Sequence, residues 1–199
     1  MIPDLQKENE FPLSLFLNGK NCKSYLFFGA HTISSKGTQY HCFRVWAPHA
    51  RSVSLVGDFN RWDRSQTPMH AIGGGVWECC IPRLEQFAAY KYSIEGRDGK
   101  IRMKADPYGA HYETRPATKI YESSYEWKDD TWRKAKRQRN IYKSPVNVYE
   151  VHFNSWRTNP DGSFLDYRTF AKQMIPYLQK MSYTHIEFMP LTEYPYDGS

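Results

Sequence analysis

The sequence predicts a mainly β fold, in which an immunoglobulin-like antiparallel β-sandwich is followed by the first strand–helix–strand unit of a parallel α/β structure. Between about residues 40 and 121, apolar and polar side chains alternate with period two, the pattern of strands that bury one face. Turns that contain glycine interrupt this alternation repeatedly, as they do between the short strands of a sandwich. After Lys143 the pattern changes to a strand, an amphipathic helix and a second strand.

The alternating residues identify the side chains that we expect between the two sheets of the sandwich. They are Val53, Leu55, Trp77, Cys79, Ile81, Tyr90, Tyr92 and Ile94. Trp46 also lies within an alternating run, so we expect it in the core as well. Turns at residues 57–58, 73–75 and 98–99 separate the runs.

The second part of the chain predicts a single parallel βαβ unit. Residues 146–153 and 184–190 each have the character of a short strand. The apolar stripe of the helix between them consists of Phe170, Met174, Tyr177, Leu178 and Met181. Pro176 removes a backbone hydrogen bond, so we expect the helix to bend or break there. Parallel strands need cover on both faces and an eight-stranded α/β barrel needs about 250 residues, so this unit is the start of an incomplete structure.

These patterns divide the chain into four segments. They are an N-terminal extension (1–24), a β-sandwich (25–121), a basic linker (122–144) and the truncated start of the α/β domain (145–199). Residues 128–139 of the linker include six basic and two acidic side chains, a net charge of +4 against the formal +6 of the whole chain. No nucleic-acid-binding motif surrounds this cluster, so we expect a solvated connector and no nucleic acid partner.

The composition predicts a cytoplasmic protein without a membrane segment, a metal site or a cofactor. The sequence has no apolar run of about 18 residues, and it begins without the basic and apolar regions of a signal peptide. Its cysteines are Cys22, Cys42, Cys79 and Cys80. They have no metal-binding spacing, so we expect free thiols in a reducing compartment. The histidines form no metal-binding pattern, and no phosphate-binding glycine loop is present.

Five short segments of the sandwich occur in a recognisable order. They are FRVWAP (43–48), VSLVGDFNRW (53–62), GVWE (75–78), YKY (90–92) and KADPY (104–108). In this order and spacing they resemble the glycogen-binding module that precedes the barrel in 1,4-α-glucan branching enzymes and related α-glucan enzymes. The five together are far more specific than any one of them alone.

Three further segments resemble branching enzymes among these relatives. GAH (29–31) is similar to their lead-in to the module, and YEVHFNSW (149–156) is similar to their first barrel strand. EYPYDGS (193–199) is similar to the loop after their second strand, although Tyr194 stands where a histidine is usual. The resemblance covers about residues 25–199 and implies that the βαβ unit begins an incomplete (β/α)8 barrel.

The resemblance implies a retaining transglycosylation that makes α-1,6 branches in glycogen. Such an enzyme cleaves an α-1,4-glucan chain and transfers it to a sugar 6-hydroxyl, using two carboxyl groups about 5–5.5 Å apart. In the family these acids come from later barrel strands, so the catalytic residues are expected beyond Ser199 and the 199-residue chain alone is expected to be inactive. Glu150 and Glu187 lie within the predicted strands rather than at their carboxyl ends, which favours a structural role for both.

The resemblance also nominates Trp62, Lys91 and Asn60 as carbohydrate-binding residues. The Trp62 ring can stack on the C–H face of a pyranose, and the Lys91 ammonium can hydrogen-bond sugar hydroxyls. Strong glycogen-binding relatives carry a second stacking tryptophan where this chain has Ile101, so we expect one platform and weak binding. A tryptophan packed on its own turn and a solvated lysine are the alternatives.

The expected partner is an α-1,4-glucan, such as glycogen or a maltooligosaccharide, bound by a monomeric protein. Two other functions stay open, a free-standing glucan-binding module and a fragment of a glycogen debranching enzyme. A pure module has no need of a βαβ unit, and debranching relatives typically lack the ending at residues 155–156.

Overall fold

The computed structural model describes residues 5–113 and 117–191, which belong to two compact units, residues 1–124 and residues 125–199. The EYPYDGS segment (193–199), with its Tyr194, lies outside the described residues. No helix in the described ranges is long and apolar enough to cross a membrane.

Two antiparallel sheets build the described part of the first unit. Its elements are α1 (Leu5–Leu17), β1 (Gly29–Ser35), β2 (Thr38–Trp46), β3 (Ala50–Gly57), β4 (His70–Gly73), β5 (Val76–Pro82), β6 (Ala89–Gly96), β7 (Ile101–Lys104), β8 (His111–Tyr112) and β9 (Thr118–Lys119). The first sheet has the order β1-β2-β5-β4, and the second has the order β3-β6-β9-β8, with β7 also paired to β6. All of these pairs are antiparallel, which confirms the mainly β prediction.

The core of the sandwich lies between the two sheets. Its buried residues are Phe43, Val45, Val53, Leu55, Met69, Cys79, Tyr90, Tyr92 and Ile120, with Trp77, Ile81 and Ile94 among those packed against them. Apart from Trp46, the alternating residues that the sequence placed between the sheets are therefore in this core or against it. Burial raises the pKa of the Cys79 thiol to about 12, so this cysteine is unreactive at neutral pH.

Helix α1 packs on the outer face of the first sheet, although the sequence suggested only an extension there. Its residues Leu13 and Phe16 contact a small cluster formed by Phe27, Phe28 and Val76. The sheet is consequently covered on both faces, by the second sheet on one side and by α1 on the other.

A buried polar cluster joins α1 to the same sheet. Asn9 Nδ2 and Arg44 Nε both donate to Glu78 Oε2, each at 2.7 Å. The Arg44 guanidinium also lies over the Phe27 ring, 5.0 Å from its centroid. All three polar residues are buried, and a buried ion pair is tolerated only where hydrogen bonds satisfy its charges.

The prediction that Trp46 lies in the core is wrong. Val45 faces the core, so the next residue along β2 faces outward, and the Trp46 side chain is 53% exposed. Its indole Nε1 donates to Gly74 O at 3.1 Å, and its ring lies 5.7 Å from that of Phe16. The prediction of alternating faces was correct in this strand, but it assigned Trp46 to the wrong one of the two faces.

The expectation of four free thiols is also wrong. Cys42 and Cys80 are register partners on β2 and β5 and form a disulfide, with their Cα atoms 4.1 Å apart. Directly opposed residues on neighbouring strands lie side by side on one face of the sheet. The two cysteines are 38 residues apart in the sequence, so the sequence alone does not show that they are close. Cys22 and Cys79 are free.

The described part of the second unit contains a parallel pair of strands joined through helices. Its elements are α2 (Asp130–Gln138), β10 (Val148–Val151), α3 (Phe153–Trp156), α4 (Tyr167–Lys180) and β11 (His185–Phe188). Strands β10 and β11 are parallel neighbours. Phe170 and Met174 of α4 are buried with Val151 and Leu165, so the helix packs on one face of the strand pair.

Three details of this unit differ from the sequence prediction. Helix α4 continues through Pro176 without a break. Pro176 has no N–H to donate to the carbonyl of Lys172, but both residues are exposed, so water can bond this carbonyl instead. The strand expected over residues 146–153 extends only from Val148 to Val151, and the helical turn α3 follows it. Part of the basic linker forms helix α2, which is exposed throughout.

Candidate functional site

The Trp62 loop, residues 58–62, follows the end of β3. Residues Asp58–Asn60 form a 3-10 turn, after which Arg61 and Trp62 both have left-handed backbones, with φ of 53° and 63°. The Trp62 N–H donates to Gly57 O at 2.9 Å and closes the loop. A left-handed conformation costs a non-glycine residue about 1–2 kcal/mol. Strained backbone is concentrated at functional sites, so two such residues in succession make the loop a candidate binding site.

Asn60 holds the loop together from inside the protein. Its side chain is 4% exposed, and its Oδ1 atom accepts a hydrogen bond from Gly57 N at 2.9 Å. Its Nδ2 atom donates to Leu55 O at 3.0 Å and to Thr67 Oγ1 at 3.1 Å. The nomination of Asn60 as a sugar ligand is therefore corrected, because its amide is buried and already bonded, and its role is to shape the loop.

Trp62 is tied to the loop by one edge and is partly open to solvent. Its indole Nε1 donates to Asp58 Oδ1 at 3.1 Å, and Asp58 Oδ2 accepts from Ala89 N at 3.2 Å. This carboxylate therefore links the indole to the first residue of β6. The side chain remains 37% exposed, so the ring has the fixed orientation and the accessible surface that stacking on a sugar requires.

Lys91 lies on the outer face of β6, at the base of the Trp62 loop. It alternates with Tyr90 and Tyr92, which face the core, so its side chain leaves the opposite face. The pairing of β3 with β6 places Lys91 opposite Val56, one position from the pair formed by Gly57 and Tyr90. Within the described ranges its ammonium makes no hydrogen bond or ion pair, so its donors are free for a ligand.

Ile101 faces solvent at the start of β7. It pairs with Glu95, four residues along β6 from Lys91, and its side chain is 52% exposed. Met103, two residues further along β7, is 45% exposed. The exposed apolar side chains of β7 are therefore aliphatic, and neither of them supplies a flat ring for stacking.

Asp106 anchors the strand that carries Lys91, a role that the sequence analysis did not identify. Tyr90 and Tyr92 donate their hydroxyl groups to Asp106 Oδ2 at 2.8 and 2.9 Å, and Tyr108 N donates to Oδ1 at 2.8 Å. Desolvation raises the pKa of Asp106, although the hydrogen bonds from Tyr108 N and the two tyrosines oppose that shift. The one available sequence indication was the presence of an acidic residue inside the KADPY segment.

The two strand glutamates do not form a reaction centre. Glu150 and Glu187 are register partners on β10 and β11, and both are exposed on the face opposite to Tyr149 and Val151. Neither carboxylate has a hydrogen-bond or ion-pair partner within residues 117–191, so the expected structural bonds are absent there. Among the described residues, no cluster of three or more metal-ligand side chains occurs.

Comparison with known families and proteins identifies the first unit. Residues 27–109 match the model of carbohydrate-binding module 48, described as the isoamylase N-terminal domain. Solved structures with this architecture include an alpha amylase, titled putative, from Salmonella typhimurium, with a TM-score of 0.55 and 23% identity over 83% of this chain and 25% of that one. A GBS pullulanase, solved with maltotetraose, has a TM-score of 0.57 and 19% identity over 85% of this chain and 24% of that one. At these identities the structures support the fold alone.

Sequence relatives are more specific. The 1,4-alpha-glucan branching enzyme GlgB of Bacillus cereus is 43% identical over 92% of this chain and 29% of its own length. The corresponding enzyme of Nitrosomonas europaea is 45% identical over 94% of this chain and 26% of its own length. The chain thus spans less than a third of the relatives that it matches. The comparisons thus identify residues 27–109 as a carbohydrate-binding module 48 and show that most of the chain is 43–45% identical to 1,4-alpha-glucan branching enzymes.

Proposed function

We propose that the chain is the glucan-binding portion of a branching enzyme, and that its first unit holds an α-1,4-glucan. The observation that carries this proposal is the 43–45% identity to GlgB proteins over at least 92% of the chain. The complete enzyme cleaves an α-1,4 chain and transfers the released part to a sugar 6-hydroxyl, which creates an α-1,6 branch.

In this proposal the Trp62 loop supplies the main contact with the sugar. The exposed part of the indole stacks on the C–H face of one glucose unit, and the Asp58 carboxylate fixes the ring by its edge. Lys91 donates hydrogen bonds to hydroxyl groups of the same or the next unit. Asn60 keeps the loop in its left-handed conformation without touching the ligand.

The second unit supplies, in the same proposal, the first strand, helix and second strand of a (β/α)8 barrel. In support of it, α4 packs on one face of a parallel strand pair. Glu150 and Glu187 leave the opposite face, where a closed barrel has its interior. The reacting carboxyl groups belong to other strands of the complete enzyme, about 5–5.5 Å apart. The 199-residue chain then binds glucan and has no branching activity of its own.

Both alternative functions are less well supported. The solved pullulanase is below 25% identical to this chain, whereas the GlgB proteins are 43–45% identical, which favours branching over debranching. A free-standing binding module is disfavoured because the GlgB alignments cover at least 92% of the chain and so extend well beyond residues 27–109.

The test is a calorimetric titration of the purified chain with maltoheptaose, at low and at physiological salt. We expect Trp62→Ala to bind at least about tenfold more weakly than the parent, because truncation of a central aromatic residue removes much of a small interface. Trp127→Ala is the matched control, since that ring is 76% exposed in the other unit. Affinity should not change with salt, because the glucan carries no charge, whereas a steep dependence would implicate basic helix α2. Equal affinity of parent and Trp62→Ala would remove Trp62 from the site.

A further inference from the structure

Phe87 combines two features that the fold does not require. It lies in the connection from β5 to β6, and its backbone is left-handed, with φ of 67°. Its side chain is 48% exposed. Its N–H donates to Ile120 O at 2.7 Å, so the strained residue is held in place by the sheet. A glycine suits this backbone better, and an exposed phenylalanine stabilises the sandwich little. Such a residue indicates a surface contact.

Two other rings join Phe87 in a compact aromatic patch. His111 is 5.4 Å from Phe87 between ring centroids, and Tyr121 is 5.9 Å from it. His111 and Tyr121 stack on each other at 6.0 Å with an interplanar angle of 28°. Tyr121 is 42% exposed. The patch of Phe87, His111 and Tyr121 is therefore assembled from three separate segments of the chain, and it presents ring surface to solvent.

The order of the second sheet brings this aromatic patch to the same end as the Trp62 loop. The last residue of β3, Gly57, pairs with Tyr90 at the start of β6. On the next strand, Lys119 pairs both with Ala89 of β6 and with His111 of β8. Strands in a sheet are about 4.8 Å apart, so the patch and the loop lie within about 15 Å of each other.

A direct hydrogen-bond path also connects the two surfaces. The Trp62 indole donates to Asp58, and Asp58 accepts from Ala89 N, two residues after Phe87. The Trp62 loop and the Phe87 segment are therefore held by the same short stretch of β6.

Polar groups beside the aromatic patch suit an uncharged, hydroxyl-rich ligand. Gln86 and Glu122 exchange hydrogen bonds at 3.0 and 3.1 Å through their side chains and backbones. The Glu122 carboxylate also pairs with Arg83 at 2.7 Å, and both side chains remain more than a third exposed. The opposite charges of Arg83 and Glu122 cancel locally, so this surface does not attract ions strongly. The carboxylate oxygens can accept hydrogen bonds from sugar hydroxyl groups, and the guanidinium nitrogens can donate to them.

We propose that Phe87, His111 and Tyr121 form a second sugar-stacking platform, which continues the Trp62 site into an extended groove for one α-1,4-glucan chain. This inference rests on the proposed glucan-binding function and deepens it. The missing ring at Ile101 then matters less, because the second platform lies beside Ala89, at the end of β6 that Asp58 contacts, whereas Ile101 pairs with Glu95 near the other end of β6.

The experiment compares maltotriose with maltoheptaose on the full chain and three variants. Phe87→Gly removes the ring and relieves the left-handed strain, so its melting temperature should equal or exceed that of the parent. We expect this variant to bind maltoheptaose about tenfold more weakly than the parent and to bind maltotriose unchanged, because only the longer chain reaches both platforms. Tyr25→Ala, which removes a 58% exposed ring from the same unit, is the control and should not alter either affinity. Trp62→Ala should weaken the binding of both sugars.

Different outcomes separate this inference from the function on which it rests. If Phe87→Gly binds maltoheptaose as tightly as the parent while Trp62→Ala does not, the second platform is wrong and the Trp62 site stands. If the parent binds neither sugar, the proposed function and the second platform both fail. Loss of maltotriose binding in Phe87→Gly would also overturn the inference, because the two platforms would then not be separate subsites.

Discussion

Asn60 and Trp62 are two positions apart in one loop, yet they have opposite environments. Asn60 is 4% exposed and uses its whole amide on Gly57, Leu55 and Thr67, whereas Trp62 is 37% exposed. Asn60 determines the conformation of the loop, and this conformation holds the Trp62 ring at the surface. Loss of the first should therefore affect both stability and binding.

We expect Asn60→Ala to lower the free energy of unfolding by about 2–3 kcal/mol, because two buried backbone groups and the part-buried Thr67 hydroxyl lose their hydrogen-bond partner. The measurement is urea denaturation followed by tryptophan fluorescence. Asn18→Ala is the control, since the exposed Asn18 makes one side-chain hydrogen bond to Ser14 O, and its effect should stay within about 0.5 kcal/mol. Similar stability of the two variants would show that Asn60 does not support the loop.

His41 gives the sandwich a dependence on pH. Its ring is buried, Nδ1 accepts from Leu84 N at 2.9 Å, and Nε2 lies 3.4 Å from the Glu122 carboxylate. Desolvation lowers the pKa of His41, although the charge of Glu122 opposes the shift. The unfolded chain then binds a proton more readily than the folded one, so stability is lost as the pH falls below the ordinary histidine pKa of about 6.5.

His41→Asn tests this pH dependence because the asparagine oxygen can still accept from Leu84 N but does not titrate. We expect the parent to lose stability between about pH 7 and pH 5.5, and the variant to lose less over the same interval. The measurement is the urea midpoint at several pH values. Parallel curves for the two proteins would mean that some other group carries the dependence.

Sequence patterns predicted an exposed position for Trp62 but did not predict the burial of Asn60. A tryptophan after a tight turn has few ways to be buried, so the placement of Trp62 follows from the GDFNRW segment. The burial of Asn60 depends on Thr67, which returns to the loop from seven residues away. A short polar residue in a turn motif looks the same from the sequence whether it faces a ligand or the protein interior.

At the scale of elements, the first sheet differs from the simple sandwich that alternation predicts. Residues 41–45 of β2 are buried without interruption, because α1 covers the face that does not meet the second sheet. Alternation identified the inner face correctly, because apolar side chains recur at every second residue on that face in several strands. It could not predict that α1 packs on the outer face, because the contacting residues Leu13 and Val76 are far apart in sequence. In addition, Pro12 makes residues 5–17 look unlike a helix.

Removal of residues 1–18 tests the contribution of α1. The truncation exposes Phe27, Phe28 and Val76 and deprives Glu78 of its bond from Asn9. Burying a large apolar side chain contributes about 1.5–3 kcal/mol, so we expect a melting temperature lower by several degrees and new binding of a hydrophobic dye. A truncated chain with the melting temperature of the parent would show that α1 is dispensable for the sandwich.

At the scale of the whole molecule, the main basic cluster and the proposed binding surface belong to different units. A cluster of four basic residues lies in exposed helix α2 of the second unit. The Trp62 loop and the Phe87 patch belong to the first unit, whose polar groups there are largely paired. The net charge of +6 therefore says little about the ligand of the module, and an uncharged glucan remains the best match to its surface.

The central claim is that the first unit binds an α-1,4-glucan through the Trp62 loop. The most direct measurement is a two-dimensional NMR titration of the ¹⁵N-labelled chain with maltoheptaose, in which each of the six tryptophans contributes an indole N–H signal. Trp62→Phe assigns the Trp62 signal by its disappearance. We predict that the Trp62 indole and the Lys91 amide shift progressively with sugar at millimolar concentrations, while the indole signals of Trp127 and Trp132 stay fixed. A fixed Trp62 signal at saturating sugar, or shifts confined to the second unit, would contradict the account.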